Sequence, residues 1–169
     1  MAAFEGPIIG AINGHAITGG FEMALACDVL IASENARFAD THARVGILPG
    51  WGLSQKLPRL IGTSRAKEVS FTGAPVPARL AYEWGLVNHV VAPDELLPRA
   101  ISMAEHMCAC VPHILTQYKR MIDEGLSKPL DEALVWEEAL AIESARQATS
   151  KIIESRRQAV LARGRDENV

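Results

Sequence analysis

The chain has 169 residues, of which 49% are hydrophobic and 22% charged, and its formal net charge at pH 7 is -3. This length can bury a substantial core as one domain or part of one, and the slight acidity argues against nucleic acid as the main partner. No apolar run reaches the length of a membrane span, and Met1–Gly6 resembles neither a signal peptide nor a basic transit peptide. Cys27, Cys108 and Cys110 lack metal-ligand spacing. They favour a reducing intracellular compartment, the cytoplasm first and an organelle matrix as the alternative.

The first half of the chain predicts strands and short helices in alternation, the pattern of an α/β layered fold. Apolar runs predict strands at Ile8–Ile12 and Val29–Ala32, an extended piece at Ala36–Ala39, and a strand at Leu86–Val91. Helices are predicted at Gly20–Cys27, from near Leu53, from a cap at Ser64 to Phe71, and at Ala78–Trp84. The segment Gly46–Gly52, rich in glycine and proline, predicts a loop.

From Asp94 onward the pattern is helical. Asp94 is predicted to cap a helix that reaches the region of Cys108, and Pro112 interrupts the run. Further helices are predicted at Ile114–Gly125, Leu130–Ala148 and Ser150–Arg163. The chain is therefore expected to divide near Pro93 into a core portion, residues 1–93, and an all-helical portion, residues 94–169.

The segment from Asn13 to Asp28 carries the strongest indication of chemistry. A buried strand runs into the pair Gly19–Gly20, which opens a short helix with Glu22 in its first turn. Glycine lets a ligand approach the backbone, and the first amides of a helix attract developing negative charge. An anion-stabilising amide beside a carboxylate suits proton transfer next to a carbonyl group. Two simpler interpretations are a tight turn made by the glycines and a glutamate favoured by the helix dipole.

Motifs along almost the whole chain match one family in order. They are Pro7–Ala16, Gly19–Glu22, Ala26–Asp28, Ala36–Ala39, Gly46–Gly52, Thr72–Gly73 and Gly85–Val87. On these motifs the chain resembles the crotonase superfamily, the enoyl-CoA hydratases and isomerases. The resemblance implies an α/β fold, the C-terminal portion of a crotonase-like (ββα) spiral followed by an all-helical region for trimer packing and pocket cover. The N-terminal part of that domain, with a second oxyanion-hole amide, would precede Pro7.

The resemblance also implies site residues. The backbone N–H of Gly19 matches the donor that binds the thioester oxygen, and Glu22 matches the first of two catalytic glutamates, which handles water. Matches to the substrate-binding positions are Ala16, Gly20, Thr41, Pro49 and Gly50.

The position of the family's second glutamate holds His42 in this chain. Histidine can shuttle protons near neutral pH, but it does not supply a second anionic carboxylate. The two interpretations, a proton-transfer residue and a histidine that only hydrogen-bonds or lines the pocket, both stay open. Asp40 is a minor alternative acid or base, since residues two apart on a strand share a face without sharing a position.

Five further positions are weighed between a structural and a functional interpretation. Trp51 either anchors the core, the favoured interpretation, or shapes the acyl end of the pocket. Asp28 is expected to form structural hydrogen bonds, and Cys27 to be a small core residue. In the basic tail, Arg156 or Arg163 would touch the coenzyme A phosphates by resemblance, although most such charges only solvate a helix face.

The predicted function is reversible hydration of a 2-enoyl-CoA to a 3-hydroxyacyl-CoA in fatty-acid or organic-acid metabolism. The resemblance implies no metal or redox cofactor, coenzyme A as part of the substrate, and a homo-oligomer, a trimer or dimer of trimers, if the full domain is present. One alternative is isomerisation or decarboxylation of an acyl-CoA on the same fold. The other is a non-catalytic fragment that binds acyl-CoA.

Overall fold

The computed structural model describes residues 1, 3–147, 153–158 and 160–161. The chain forms two compact units, Met1–Lys119 and Arg120–Val169. The first unit contains all the strands of the described residues. The described residues contain no helix long and apolar enough to cross a membrane.

The elements alternate in the first part of the chain and are helical afterwards. The strands are β1 (Ile9–Ile12), β2 (His15–Ile17), β3 (Val29–Ser33), β4 (Arg37–Ala39), β5 (Val76–Pro77) and β6 (His89–Val91). The helices of the first part are α1 (Gly19–Ala24), α2 (His42–Val45), α3 (Leu53–Ile61), α4 (Thr63–Thr72) and α5 (Ala78–Glu83). They are followed by α6 (Leu96–Cys108), α7 (Pro112–Gly125) and α8 (Leu130–Gln147).

The strands form two small sheets of three strands each. In one sheet β3 lies between β1 and β6, and both pairings are parallel. In the other, β4 pairs in parallel with β2 and antiparallel with β5. A side chain at Gly10 would place its Cβ 2.6 Å from Cδ2 of Leu30 and 3.0 Å from Sγ of Cys27, so any larger residue on β1 there would displace these side chains.

The core of the first unit contains side chains from both sheets and from the short helices. Phe21 on α1 and Phe38 on β4 are both fully buried, and their ring centroids lie 5.5 Å apart. Leu53 and Leu57 on α3 belong to the same cluster. Burial of side chains of this size contributes about 1.5–3 kcal/mol each, so this packing stabilises the unit that carries β2 and β4.

Two predicted helix caps are wrong. Helix α4 begins after Gly62, so Ser64 lies within it and its side chain does not cap it. Helix α6 has Glu95 rather than Asp94 at its N-cap position, and no side chain caps it. At the start of α4, Gly62 has a φ of 84°, a conformation that favours glycine.

The sequence predicted the main elements but missed three short ones. Strands β2 and β5 have two or three residues and helix α2 has four, too few for periodicity to indicate. The predicted strand at Leu86–Val91 is confined to β6, His89–Val91. Of the predicted last helix, residues 153–158 and 160–161 are helical, and its remaining positions lie outside the described residues.

Candidate active site

The site forms where two parallel strands end side by side. Ile17, the last residue of β2, is paired with Ala39, the last residue of β4. The backbone N–H of Thr18 then donates to the carbonyl of Ala39 at 2.9 Å. Because paired parallel strands end at the same edge of a sheet, the start of α1 lies next to the segment that follows β4.

Helix α1 begins at Gly19, directly after the strained residue Thr18. The amide of Glu22 donates to the carbonyl of Thr18 at 3.0 Å, so the amides of the preceding turn have no acceptor within α1. Thr18 has a φ of 54° and a ψ of -111°, which is unfavourable for a β-branched residue. Its hydroxyl forms a hydrogen bond with the hydroxyl of Thr41, across the two chain segments.

Glu22 is a buried carboxylate that contacts two elements besides its own. It is 3% exposed. Its Oε1 accepts a hydrogen bond from the backbone N–H of Trp51 at 2.7 Å and a longer one from that of Leu53 at 3.4 Å. Its Oε2 lies 3.5 Å from Nε2 of His42. Glu22 therefore joins the start of α3 to the imidazole, so the dipole-related interpretation describes only part of its role.

His42 lies between two carboxylates. It is the first residue of α2 and is 5% exposed. Its Nδ1 is 2.6 Å from Oδ1 of Asp40, and its backbone N–H donates to the same oxygen at 3.1 Å. Asp40 is itself 3% exposed. The three side chains form a buried chain of polar groups, which we call the Asp40–His42–Glu22 array.

The predicted substrate-binding residues differ in how exposed they are and in what they contact. Ala16 is 4% exposed on β2, and Thr41 precedes His42 and bonds to Thr18. Gly20 is exposed in α1, and in the loop after α2, Pro49 is partly buried and Gly50 is exposed. The structure thus brings Thr41 into direct contact with the α1 start, while the roles of these residues toward a substrate stay predictions.

Trp51 is not a core anchor. Its side chain is 68% exposed, because the glycine- and proline-rich loop carries it to the surface while its backbone N–H turns inward to Glu22. A Cβ built on Gly19 would lie 3.5 Å from Cζ3 of Trp51, so the ring covers the start of α1. Leu48 and Ile47 on the same loop are 89% and 56% exposed. The loop therefore presents an apolar surface beside the array.

Asp28 forms the structural hydrogen bonds that were expected of it. One carboxylate oxygen accepts from the backbone N–H of Ile8 at 2.7 Å, and the other pairs with the ammonium of Lys119. Cys27 is partly buried and packs against the core. Arg156 is exposed in the second unit, and Arg163 lies outside the described residues. Among the described residues no group of three or more potential ligands has an arrangement that could hold a metal ion.

Sequence reasoning did not foresee the contact of Asp40 with His42, and it overlooked Thr18. Asp40 lies just beyond β4, so the strand argument against it does not apply. An aspartate two residues before a helical N–H commonly accepts a hydrogen bond from that amide, and this signal could have linked it to His42. The positive φ of Thr18 has no signal in the sequence.

Comparison with known proteins agrees with this geometry. The family model described as "Enoyl-CoA hydratase/isomerase" matches residues 1–160. The chain belongs to the enoyl-CoA hydratase/isomerase family. The sequence resemblance to the crotonase superfamily is thereby confirmed.

Individual relatives show how much of the family's length this chain represents. It is 50% identical over 141 residues to "Probable enoyl-CoA hydratase 1, peroxisomal" of Arabidopsis thaliana, covering 83% of this chain and 53% of that protein. It is 39% identical over 162 residues to the "Short-chain-enoyl-CoA hydratase" of Clostridium acetobutylicum, covering 93% and 62%. The chain therefore spans between about half and two thirds of the length of these relatives.

Solved structures confirm the fold class. An enoyl-CoA hydratase from Bacillus anthracis matches with a TM-score of 0.86 at 36% identity, covering 93% of this chain and 61% of that one. An enoyl-CoA hydratase from Mycobacterium avium matches with a TM-score of 0.68 at 47% identity, covering 86% and 64%. The fold is thus α/β and crotonase-like, and the chain corresponds to a part of that fold.

Proposed function

We propose that this chain supplies an acid–base centre for the reversible hydration of a 2-enoyl-CoA to a 3-hydroxyacyl-CoA. The observation that carries the proposal is the approach of two buried proton-transfer groups, Oε2 of Glu22 and Nε2 of His42, next to the start of α1. Family membership and the hydratase names of its relatives support the reaction class.

In this proposal the amide of Gly19 binds the thioester oxygen, on which negative charge develops as water adds. One preorganised amide donor stabilises such a transition state by about 3–4 kcal/mol. The positive end of the α1 turn acts in the same direction. Ala16, Gly20, Thr41, Pro49 and Gly50 would line the substrate pocket.

Glu22 and His42 would transfer the protons. The Glu22 carboxylate accepts a proton from water as its oxygen bonds to the β-carbon, and His42 provides a proton for the α-carbon. Groups positioned in this way typically contribute about 10²–10⁴-fold each to the rate. The exposed apolar loop that carries Leu48 and Trp51 supports binding of an acyl chain beside the array.

The same proposal extends to the surroundings of the site. Coenzyme A enters as part of the substrate, and no metal or redox cofactor takes part. The proposed assembly is a homo-oligomer, a trimer or a dimer of trimers, and the proposed setting is a reducing intracellular compartment.

Hydration is tested by the loss of absorbance that accompanies loss of the conjugated double bond of crotonyl-CoA. The assay uses the chain alone and the chain with any upstream residues that its gene encodes. Glu22→Gln should lower turnover by about 10²–10⁴-fold, whereas Glu83→Gln, which changes an exposed glutamate of α5, should not. Absence of hydration from both forms would refute the hydratase assignment, and full turnover in Glu22→Gln would remove Glu22 from the mechanism.

A His42→Glu variant tests the second position. A large gain in hydration would mean that histidine does not serve this reaction. Double-bond isomerisation or decarboxylation without hydration would indicate the alternative acyl-CoA reaction on the same fold. Binding of acyl-CoA without any turnover would indicate the non-catalytic alternative.

A further inference from the structure

Asp40 is a buried ionisable group that the proposed reaction does not use. Its side chain is 3% exposed, and one oxygen accepts from both the ring and the backbone N–H of His42. Burial of a carboxylate costs several kcal/mol unless hydrogen bonds compensate it. Besides the bond to the backbone, Oδ1 of Asp40 has a second contact, at 2.6 Å, with Nδ1 of the His42 ring.

The contact with Asp40 determines which ring nitrogen carries a proton. An ionised carboxylate only accepts hydrogen bonds, so Nδ1 of His42 must be the donor in that pair. In the neutral imidazole the lone pair then lies on Nε2. Nε2 is the nitrogen that faces Oε2 of Glu22, at 3.5 Å.

The ring is also held from its backbone. The N–H of His42 is bound to Asp40, and on the same helix Nε of Arg44 donates to the carbonyl of Thr72 at 2.7 Å. Helix α2 is thus attached to α4, whose charged side chains Arg65, Lys67 and Glu68 are exposed. The charged groups bonded to or paired with the ring are Asp40 and Glu22.

We propose that Asp40 is a positioning residue that holds His42 in the Nδ1–H tautomer, so that Nε2 exchanges a proton with Glu22 during each turnover. This inference rests on the proposed hydration. Protonated His42 gives its Nε2 proton to the α-carbon while Glu22 takes a proton from the water whose oxygen bonds to the β-carbon. The proton on Glu22 then passes to Nε2, which restores both groups and leaves one water added to the double bond.

The arrangement gives the histidine a way to replace the family's second glutamate. In the proposed cycle His42 regains its proton from Glu22, and both side chains are buried. The carboxylate of Asp40 also stabilises the imidazolium that exists before the proton is delivered.

The test compares Asp40→Asn with Asp40→Ala in the full chain. Asparagine keeps an oxygen for the backbone N–H of His42, but its amide group can donate to Nδ1 and favour the Nε2–H tautomer. Alanine removes both bonds. Asp94→Asn, at an exposed aspartate of the same unit, is the matched control.

The first measurement is the tautomer of His42 by ¹⁵N–¹H NMR of the ring nitrogens, without substrate and at a pH high enough that the ring has lost the proton it delivers in the cycle. Its signals are assigned by their loss in His42→Gln. The wild type and Asp94→Asn should show Nδ1–H for the neutral ring, and Asp40→Asn should shift His42 toward Nε2–H. An Nε2–H ring in the wild type, or a tautomer unchanged in Asp40→Asn, would overturn the inference.

The second measurement is kcat and KM for crotonyl-CoA. Exchange of the carboxylate that orients a catalytic imidazole for an amide can lower kcat by about 10⁴-fold while the geometry stays intact. We expect a loss of about 10²–10⁴-fold in kcat for Asp40→Asn with little change in KM. Unchanged kcat in an active enzyme refutes the positioning role, even if Asp40→Ala is destabilised.

The two measurements separate this inference from the function on which it rests. An active wild type with the wrong tautomer leaves hydration standing and removes Asp40 from it. The expected tautomer in a chain that hydrates nothing, with or without upstream residues, refutes the hydration and the proton cycle built on it. In that case the NMR result still shows whether Asp40 determines the tautomer of the His42 ring.

Discussion

Replacement of Glu22 by alanine and by glutamine should separate its structural contribution from its chemical one. The carboxylate accepts hydrogen bonds from the amides of Trp51 and Leu53 at the start of α3. Glutamine keeps an acceptor oxygen in nearly the same place, whereas alanine keeps none. Both variants lose the proton-accepting group.

The cost of the alanine variant follows from the burial of these partners. Leu53 is 1% exposed, so its amide would lose its side-chain acceptor with little access to water, at about 1–3 kcal/mol. Loss of the shorter, charge-assisted bond to Trp51 adds about 1.5–3 kcal/mol, reduced because that exposed loop can rehydrate. We expect about 2–4 kcal/mol of destabilisation for Glu22→Ala and about 1 kcal/mol for Glu22→Gln.

Urea unfolding followed by circular dichroism measures the difference. With a denaturant dependence of about 2 kcal/mol per M, the midpoint of Glu22→Ala should fall by about 1–2 M relative to the wild type. Glu83→Ala, at an exposed position of α5, is the control and should shift the midpoint little. Equal midpoints for Glu22→Ala and Glu22→Gln would show that the contacts with α3 do not stabilise the fold.

Three further changes probe the surroundings of the site. Thr18→Gly should be more stable than Thr18→Ala by about 1 kcal/mol, because both variants lose the hydroxyl but only glycine tolerates the positive φ. Equal melting temperatures of the two variants would argue against backbone strain at this position. Trp51→Ala should lower the free energy of unfolding in urea by less than about 1 kcal/mol, since the ring is exposed. The same variant should raise KM for crotonyl-CoA. A severe loss of stability would contradict the exposed position of the ring. Burial raises the pKa of the Cys27 thiol, so near pH 8 iodoacetamide should alkylate it more slowly than exposed Cys108 and Cys110; mass spectrometry of digested peptides would detect the contrary order.

The sequence predicted those parts of the fold that local patterns specify. Apolar runs located β1 and β3, and the Gly19–Gly20 pair followed by Glu22 located the start of α1. Helix caps were less predictable, since Ser64 and Asp94 are suitable capping residues that the structure does not use. At α4 the helix begins after Gly62, whose positive φ favours glycine.

The candidate site was predicted in its parts but not in its connections. Glu22 and His42 were both identified from the sequence, and the exposure of Trp51 was predicted wrongly because an aromatic residue in a loop can turn either way. The link from Asp40 to His42 is local, within two residues, and was available in principle from the preference of aspartate for such turns.

What the sequence alone determined is the family, the succession of elements and the presence of a carboxylate just after a glycine pair. These depend on residues close together in the chain, because the spacing of apolar residues and the preferences of turn residues are local properties of the sequence. Only the tertiary structure decided that Nε2 of His42 faces Glu22 while Nδ1 faces Asp40. The reason is physical: Glu22 and His42 meet because backbone hydrogen bonds fix the parallel register of β2 and β4, and no local sequence pattern specifies that register.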